Sequence, residues 1–241
     1  MRLLEGDWME KKLNFKAYEK KIDEEALVWE MKQDFAKALE MYDRLLKEIE
    51  AVAPNDKGES SEKDAIVAYL MLRKAGILLE TERLDVGERL MLEGTAVAER
   101  SGNSLMIGRA KVGLGSLYGS LGRFEESERY LTEAFASFSQ GDAKDSKQGA
   151  GWSLANLGGL YIKEGKLDQA EEKLNKAVEL LDSIENWVGV ATAYEYKARL
   201  YRARNDKASA KESLLKAVSY YEKQGMKEKA KSVEEELAKL Q

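Results

Sequence analysis

The chain has 241 residues, with 39 Lys and Arg against 44 Asp and Glu, a net charge of −5, one proline, no cysteine and no histidine. Without histidine or cysteine, Ser-His and Cys-His catalysis, thiolate zinc sites and disulfides are all excluded. The acidic balance argues against bulk attraction to nucleic acid or an anionic membrane, and apolar stretches such as residues 65–72 fall far short of the roughly 20 residues that span a bilayer.

Ala, Leu, Glu and Lys are abundant and only Pro54 interrupts them, so the composition predicts an almost wholly helical chain. The N-terminal segment, residues 1–18, has too short an apolar core for a secretory signal and is expected to form a helical cap carrying Trp8. From Glu19 onward a pattern of small and large apolar residues begins, with Ala26, Trp29, Phe35, Ala38, Tyr42 and Leu45. The polar stretch from Pro54 to Ser61 separates it from a second copy that starts at Ala68 and carries Ala75, Leu78, Leu84, Gly87, Met91 and Gly94.

The pattern is clearest in the next two copies. Leu114, Gly115, Tyr118, Gly122, Phe124 and Ala134 return 43 residues later, without a gap, as Leu157, Gly158, Tyr161, Gly165, Leu167 and Ala177. Counting from Gly108 and Gly151, a further copy starts 40 residues on at Ala191, with Ala198, Tyr201, Ala210, Leu214 and Ala217. Gly225 then breaks the chain, and residues 226–240 read as an amphipathic helix with Ala230, Val233, Leu237 and Leu240 on its apolar face. A unit of this length cannot bury its own apolar face, so the copies must stack.

Within one copy the spacing gives the local structure. Leu154, Leu157 and Tyr161 recur at three and four residues and share a helix face. Gly158 on this helix and Ala170 on the next are small enough to let two antiparallel helices approach closely. Gly165 stands where a C-terminal cap needs positive φ, and Asp168 falls in the first turn of the following helix, where its charge suits the helix dipole. Asn205 occupies the matching turn of the last copy and tolerates the left-handed conformation better than most residues.

These residues resemble the tetratricopeptide repeat, a helix pair with a small residue at position 8, an aromatic residue at 11 and small residues at 20 and 27. The resemblance covers roughly residues 19–223, with repeats starting near 19, 68, 108, 151 and 191, and residues 224–241 as a C-terminal capping helix. The closing proline of the family is absent and the period is 40 to 43 residues rather than 34, as in the extended repeats of kinesin light chains and bacterial peptide-sensing regulators. The resemblance implies an all-α, right-handed α-solenoid of about five helix pairs whose first helices line a concave groove.

Carried over position by position, the groove residues are Tyr69, Leu72 and Arg73; then Arg109, Val112, Gly113, Ser116 and Gly119; then Trp152, Asn156, Gly159 and Lys163; then Tyr196, Arg199 and Arg202. Helix packing accounts for Gly115 and Gly158 but not for Gly113, Gly119 and Gly159. Each of those three costs about 0.5–1 kcal/mol relative to alanine in a helix interior. One reading is bare backbone against which a partner lies, with Trp152 and Tyr196 as anchors; the other is contact with a neighbouring helix. The carboxylate clamp used by some family members is missing, because Val112, Ser116, Thr192 and Tyr196 stand where its Lys, Asn and cationic residues belong.

The run from Gly113 to Gly119 lacks the third glycine of a phosphate-binding loop and follows no strand. Nothing in the spacing of Gln140, Gln148 or Gln169 suggests that they orient a water for hydrolysis. The resemblance therefore implies a non-enzymatic scaffold or adapter, without cofactor, that binds a peptide or helix of another protein. A peptide-sensing module of a larger protein and a self-associating assembly factor are the alternatives. The expected location is the cytoplasm, with no nucleic-acid partner and no insertion into a membrane.

Overall fold

The computed structural model describes residues 15–240, so Trp8 and most of the N-terminal cap expected over residues 1–18 lie outside the described residues. Two compact units are present, Met1–Met106 and Ile107–Gln241. No strand occurs among the described residues, and none of their helices is long and apolar enough to cross a membrane.

The first unit holds α1 (Phe15–Ile22), a π-helical turn (Asp23–Leu27), α2 (Val28–Met31), α3 (Phe35–Glu50), α4 (Lys57–Glu80) and α5 (Leu84–Ser101). The polar stretch after Pro54 is shorter as a linker than its composition suggests. Asp56 caps α4 by accepting a hydrogen bond from the Glu59 amide at 2.8 Å, and Glu59 in turn accepts from the Asn55 amide at 2.8 Å. Reciprocal capping of this kind starts the helix within the polar run. Gly94 on α5 lies against Met71 and Leu72, where a Cβ would come within 3.2 Å of the Met71 side chain.

The second unit contains most of α6 (Ser104–Ser120), then α7 (Phe124–Phe138), α8 (Lys144–Lys163), α9 (Leu167–Ser183), α10 (Trp187–Ala203), α11 (Lys207–Lys223) and α12 (Lys227–Ala238). Successive helices form antiparallel pairs joined by three-residue turns. In each tight turn an amide bonds back to the carbonyl five residues earlier, as in Arg123 to Tyr118 at 2.9 Å, Lys166 to Tyr161 at 2.9 Å and Asp206 to Tyr201 at 2.8 Å. This is the Schellman closure, and the preceding residue must take positive φ. Gly165 does so at +75° and Asn205 at +60°.

Glycines set the approach of the paired helices. A Cβ on Gly158 would sit 2.5 Å from Leu174 Cγ and one on Gly151 2.5 Å from Leu181 Cγ. The same interlock recurs one repeat earlier, where Leu131 fills the space at Gly115 and the Phe138 ring that at Gly108. In the last pair Ala191 and Ala198 take the glycine places and share a core with Leu214 and Tyr221. Ala230 and Val233 of α12 are buried in that core, with Leu237 and Leu240 packed against it.

Neighbouring pairs are tied by a tyrosine on the first helix of one and a glutamate on the second helix of the pair before. Tyr161 donates to Glu128 at 2.7 Å and Tyr201 to Glu171 at 2.9 Å, and Arg204 also holds Glu171 at 2.6 Å. Burial, reinforced by the bond to Glu171, pushes the Tyr201 hydroxyl up to about 12 from its usual 10. Tyr161 is raised by the same causes, with burial foremost.

Two outcomes follow for stability. Gly158→Ala should lower it by about 1–3 kcal/mol, because the buried Leu174 cannot retreat. Gly76→Ala, where no atom lies within 4 Å of the new Cβ, should raise it by about 0.5–1 kcal/mol; denaturant titration measures both. The tyrosine bonds are fully stabilising below pH 10, where the hydroxyl is neutral in folded and unfolded chains alike. Their contribution is lost as pH rises from about 10 through 12, because the unfolded chain ionises first. A pH series of thermal melts should show this decline, and the Tyr161→Phe, Tyr201→Phe double variant should show a shallower one.

Candidate functional site

The packing just described uses one side of each first helix and leaves the other open. On α8 the buried face carries Leu154, Leu157, Leu160 and Tyr161. The opposite stripe is Gln148, Trp152, Asn156, Gly159 and Lys163, at the three- and four-residue intervals of a single helix face. The matching stripe on α6 is Arg109, Val112, Ser116 and Gly119, and α10 adds Tyr196 and Arg199.

Beside a depression of about 370 Å³ between Gln148, Trp152, Glu185 and Trp187, two more lie along this surface. The first, of about 340 Å³, is lined by Ser116 and Gly119 of α6, Asn156, Gly159 and Lys163 of α8, and Tyr196 and Arg199 of α10. The second, of about 230 Å³, is lined by Arg109, Val112 and Trp152, with the Phe138 ring, Asp145, Gln148 and Gly149. Ten of the residues expected in the groove are thus brought together in the second unit. Gly113, half-buried on α6, lines neither depression.

The remaining expectations divide. Tyr69, Leu72 and Arg73 belong to the first unit. Arg73 is a packing residue there: it pairs with Glu30 and donates to the Tyr42 hydroxyl at 3.4 Å, while Tyr42, fully buried, donates to the same Glu30. Arg202 is turned to the end of the array and pairs with Glu236 of α12 at 2.8 Å. Neither guanidinium is left open to a partner in the way their helix positions suggest.

Two glycines also need a different account. A Cβ on Gly119 would come within 2.9 Å of the Ser127 hydroxyl, which is itself tied to the Gly115 carbonyl at 2.7 Å. A Cβ on Gly159 would sit 2.7 Å from Tyr196 Cε1. The missing side chains therefore make room for this chain's own Ser127 and Tyr196, and the reading of bare backbone awaiting a partner does not hold at these two positions. The outcome is still a widened groove, because Tyr196 lies down over α8 and forms part of its wall.

Charge in the first of these two depressions is one-sided. Lys163 donates to the Gly119 carbonyl at 3.2 Å, at the C-terminal end of α6, where unsatisfied carbonyls and the helix dipole attract a cation. The Arg199 guanidinium stands 5.3 Å from the centre of the Tyr196 ring. Neither cation pairs with a carboxylate among the described residues, and the half-buried Asn156 amide makes no hydrogen bond among them either. Glu195, one turn before Arg199, instead accepts from the Tyr221 hydroxyl. No group of three or more acidic side chains among the described residues could hold a metal ion.

Sequence reasoning missed Phe138, Asp145, Gln148 and Gly149. They precede or lie outside the repeat frame counted from Gly151, because α8 starts at Lys144, almost two turns earlier. Gln148, four residues before Trp152, carries the signal that could have found them. The reassignment of Arg73 is testable: Arg73→Ala leaves Glu30 and the buried Tyr42 without their cation and should destabilise the first unit by about 1–3 kcal/mol in denaturant titration.

Two tetratricopeptide repeat family models match the sequence, one over residues 150–223 and the other over residues 108–137. No curated protein is similar enough in sequence to count as a relative. Among solved structures, BtubC (BKLC) from P. vanneervenii is similar at 19% identity and a TM-score of 0.64, over 88% of this chain and 82% of that one. The apo form of RapI is similar at 12% identity and a TM-score of 0.61, over 97% of this chain and 85% of that one. A Podosopora anserina putative kinesin light chain with nearly identical TPR-like repeats gives 14% identity and a TM-score of 0.61, over 88% of this chain and 99% of that one. With the helix pairs, glycine interlocks and Schellman turns already described, these matches show tetratricopeptide-type repeats over residues 108–137 and 150–223 of this chain.

Proposed function

We propose that the chain is a non-enzymatic interaction module and that the open face of α6, α8 and α10 receives a peptide or helix of another protein. Tetratricopeptide-repeat proteins bind other proteins, and the observation that carries the reading here is the stripe on α8. Trp152, Asn156 and Lys163 stand on the more open side of the helix, where the Trp152 ring packs only in part against the core, and depressions flank them. An aromatic ring beside a pocket is the usual anchor of such a surface, since it buries much area at little cost in rotamer entropy.

The groove holds no arrangement of nucleophile, base and orienting group. Its ionisable side chains are cations and a tyrosine in the first depression, and Arg109 with Asp145 in the second. Binding chemistry suits that set better than bond-making chemistry.

Arg199→Glu should leave the helical content and the melting temperature nearly unchanged, whereas Trp152→Ala, whose ring packs in part against the Leu154 and Leu181 core, should keep the helical content and lower the melting temperature. Both should lose a partner that the unaltered protein captures and that isothermal titration verifies, with affinity falling about tenfold or more. Full affinity in both variants would overturn the reading.

A further inference from the structure

We infer that the first unit carries an anion site of its own, in which Arg83 and Arg89 hold the phosphate of a small aryl phosphate monoester whose ring rests on an apolar floor. The site shares no residue with the open face of α6, α8 and α10.

A depression of about 310 Å³ lies among α3, α4 and α5. Its apolar lining is the buried Leu78 with the half-buried Leu39, Val86 and Leu90. Its charged lining is Lys74, Arg83 and Arg89 against Asp43 and Glu93, an excess of cations in a chain that is acidic as a whole. Lys74 and Asp43 satisfy each other as an ion pair. Neither arginine pairs with a carboxylate among the described residues, although Glu93 stands one turn after Arg89 at a spacing where such pairs form on helices. Two guanidiniums with their donors unspent therefore border one apolar hollow.

The next repeat shows such arginines occupied by the chain itself. One period further on, Arg123 and Arg129 take the places of Arg83 and Arg89. Arg123 grips both oxygens of Glu126 and lies 4.1 Å from the centre of the Tyr118 ring, and Arg129 lies 4.6 Å from that of Tyr130. The residues that correspond to Glu126, Tyr118 and Tyr130 in the earlier repeat are Val86, Leu78 and Leu90. A carboxylate and two rings are thus replaced by three aliphatic side chains, and those three line the hollow. A ligand that brings an anion and a ring supplies what the substitutions removed.

Charge decides between a phosphate and a carboxylate. A carboxylate has one charge and two oxygens, which match a single guanidinium fork. A phosphate monoester is nearly dianionic at neutral pH and offers three acceptor oxygens, so it meets two.

Titration of phenyl phosphate into the isotopically labelled full chain, followed by amide NMR shifts at constant ionic strength, tests this. The amides of Val86, Arg89 and Leu90 should move along one saturation curve, with a Kd of about 1 mM or tighter. Arg83→Gln and Arg89→Gln should each weaken binding about tenfold. Arg100→Gln, which removes an exposed arginine of the same helix that pairs with Asp64, should leave it unchanged. Phenyl sulfate keeps the ring but has one charge, and inorganic phosphate keeps the charge but has no ring; each should bind about tenfold more weakly than phenyl phosphate. Absence of saturable binding, unchanged affinity in both arginine variants, or equal affinity for phenyl sulfate or inorganic phosphate overturns the inference, and none of these outcomes touches the groove reading.

Discussion

The interlock of a large side chain with a glycine on the facing helix is the constraint from which the rest of the second unit follows. Gly151 faces Leu181 and Gly158 faces Leu174, so seven residues forward on α8 match seven residues back on α9. The same register holds for Gly108 with Phe138 and Gly115 with Leu131. Two helices so closely seated cannot rotate about their own axes without driving a leucine into backbone. Their orientation, and hence which face each turns outward, is determined by packing density. Where alanine replaces glycine, at Ala191 and Ala198, both are buried in one core with Tyr221 and Leu214.

The candidate site is what this packing leaves over. Once Leu154, Leu157 and Tyr161 are committed inward, the stripe from Gln148 to Lys163 is left half open, with the Trp152 ring packed in part against the Leu154 and Leu181 core. Lys163 closes the exposed carbonyl end of α6, and Gly159 gives way to Tyr196. These contacts are structural in origin, yet they hold an ammonium and an aromatic wall in place before any ligand arrives. Preorganisation of this kind reduces the ordering that binding must overcome.

Much of this was legible in the sequence because it depends on contacts within one helix pair. The turns at Gly165 and Asn205 take the positive φ that their places demand, and Gly115 and Gly158 admit the leucines opposite. Trp152 and Asn156 of α8 and Arg199 of α10 came from the family positions that the resemblance carries over. What escaped depended on longer range. The ring that fills the space at Gly159 lies 37 residues away on α10, and the carboxylate that holds Arg73 lies 43 residues away on α2. No local pattern announces either. The π-helical turn at Asp23–Leu27 and the early start of α8 at Lys144 were also hidden, since both depart from the repeat period by which the helices were recognised.

The central claim is that the partner surface is the face of α6, α8 and α10 that packing leaves open. Amide and indole NMR shifts of the full chain, recorded while a captured partner is titrated in, test it most directly. The account predicts that the Trp152 indole and the backbone amides of Ser116, Asn156, Gly159 and Arg199 move together with one saturation curve. Shifts confined to the outer helices α7, α9 and α11, with the Trp152 indole unmoved, would contradict it.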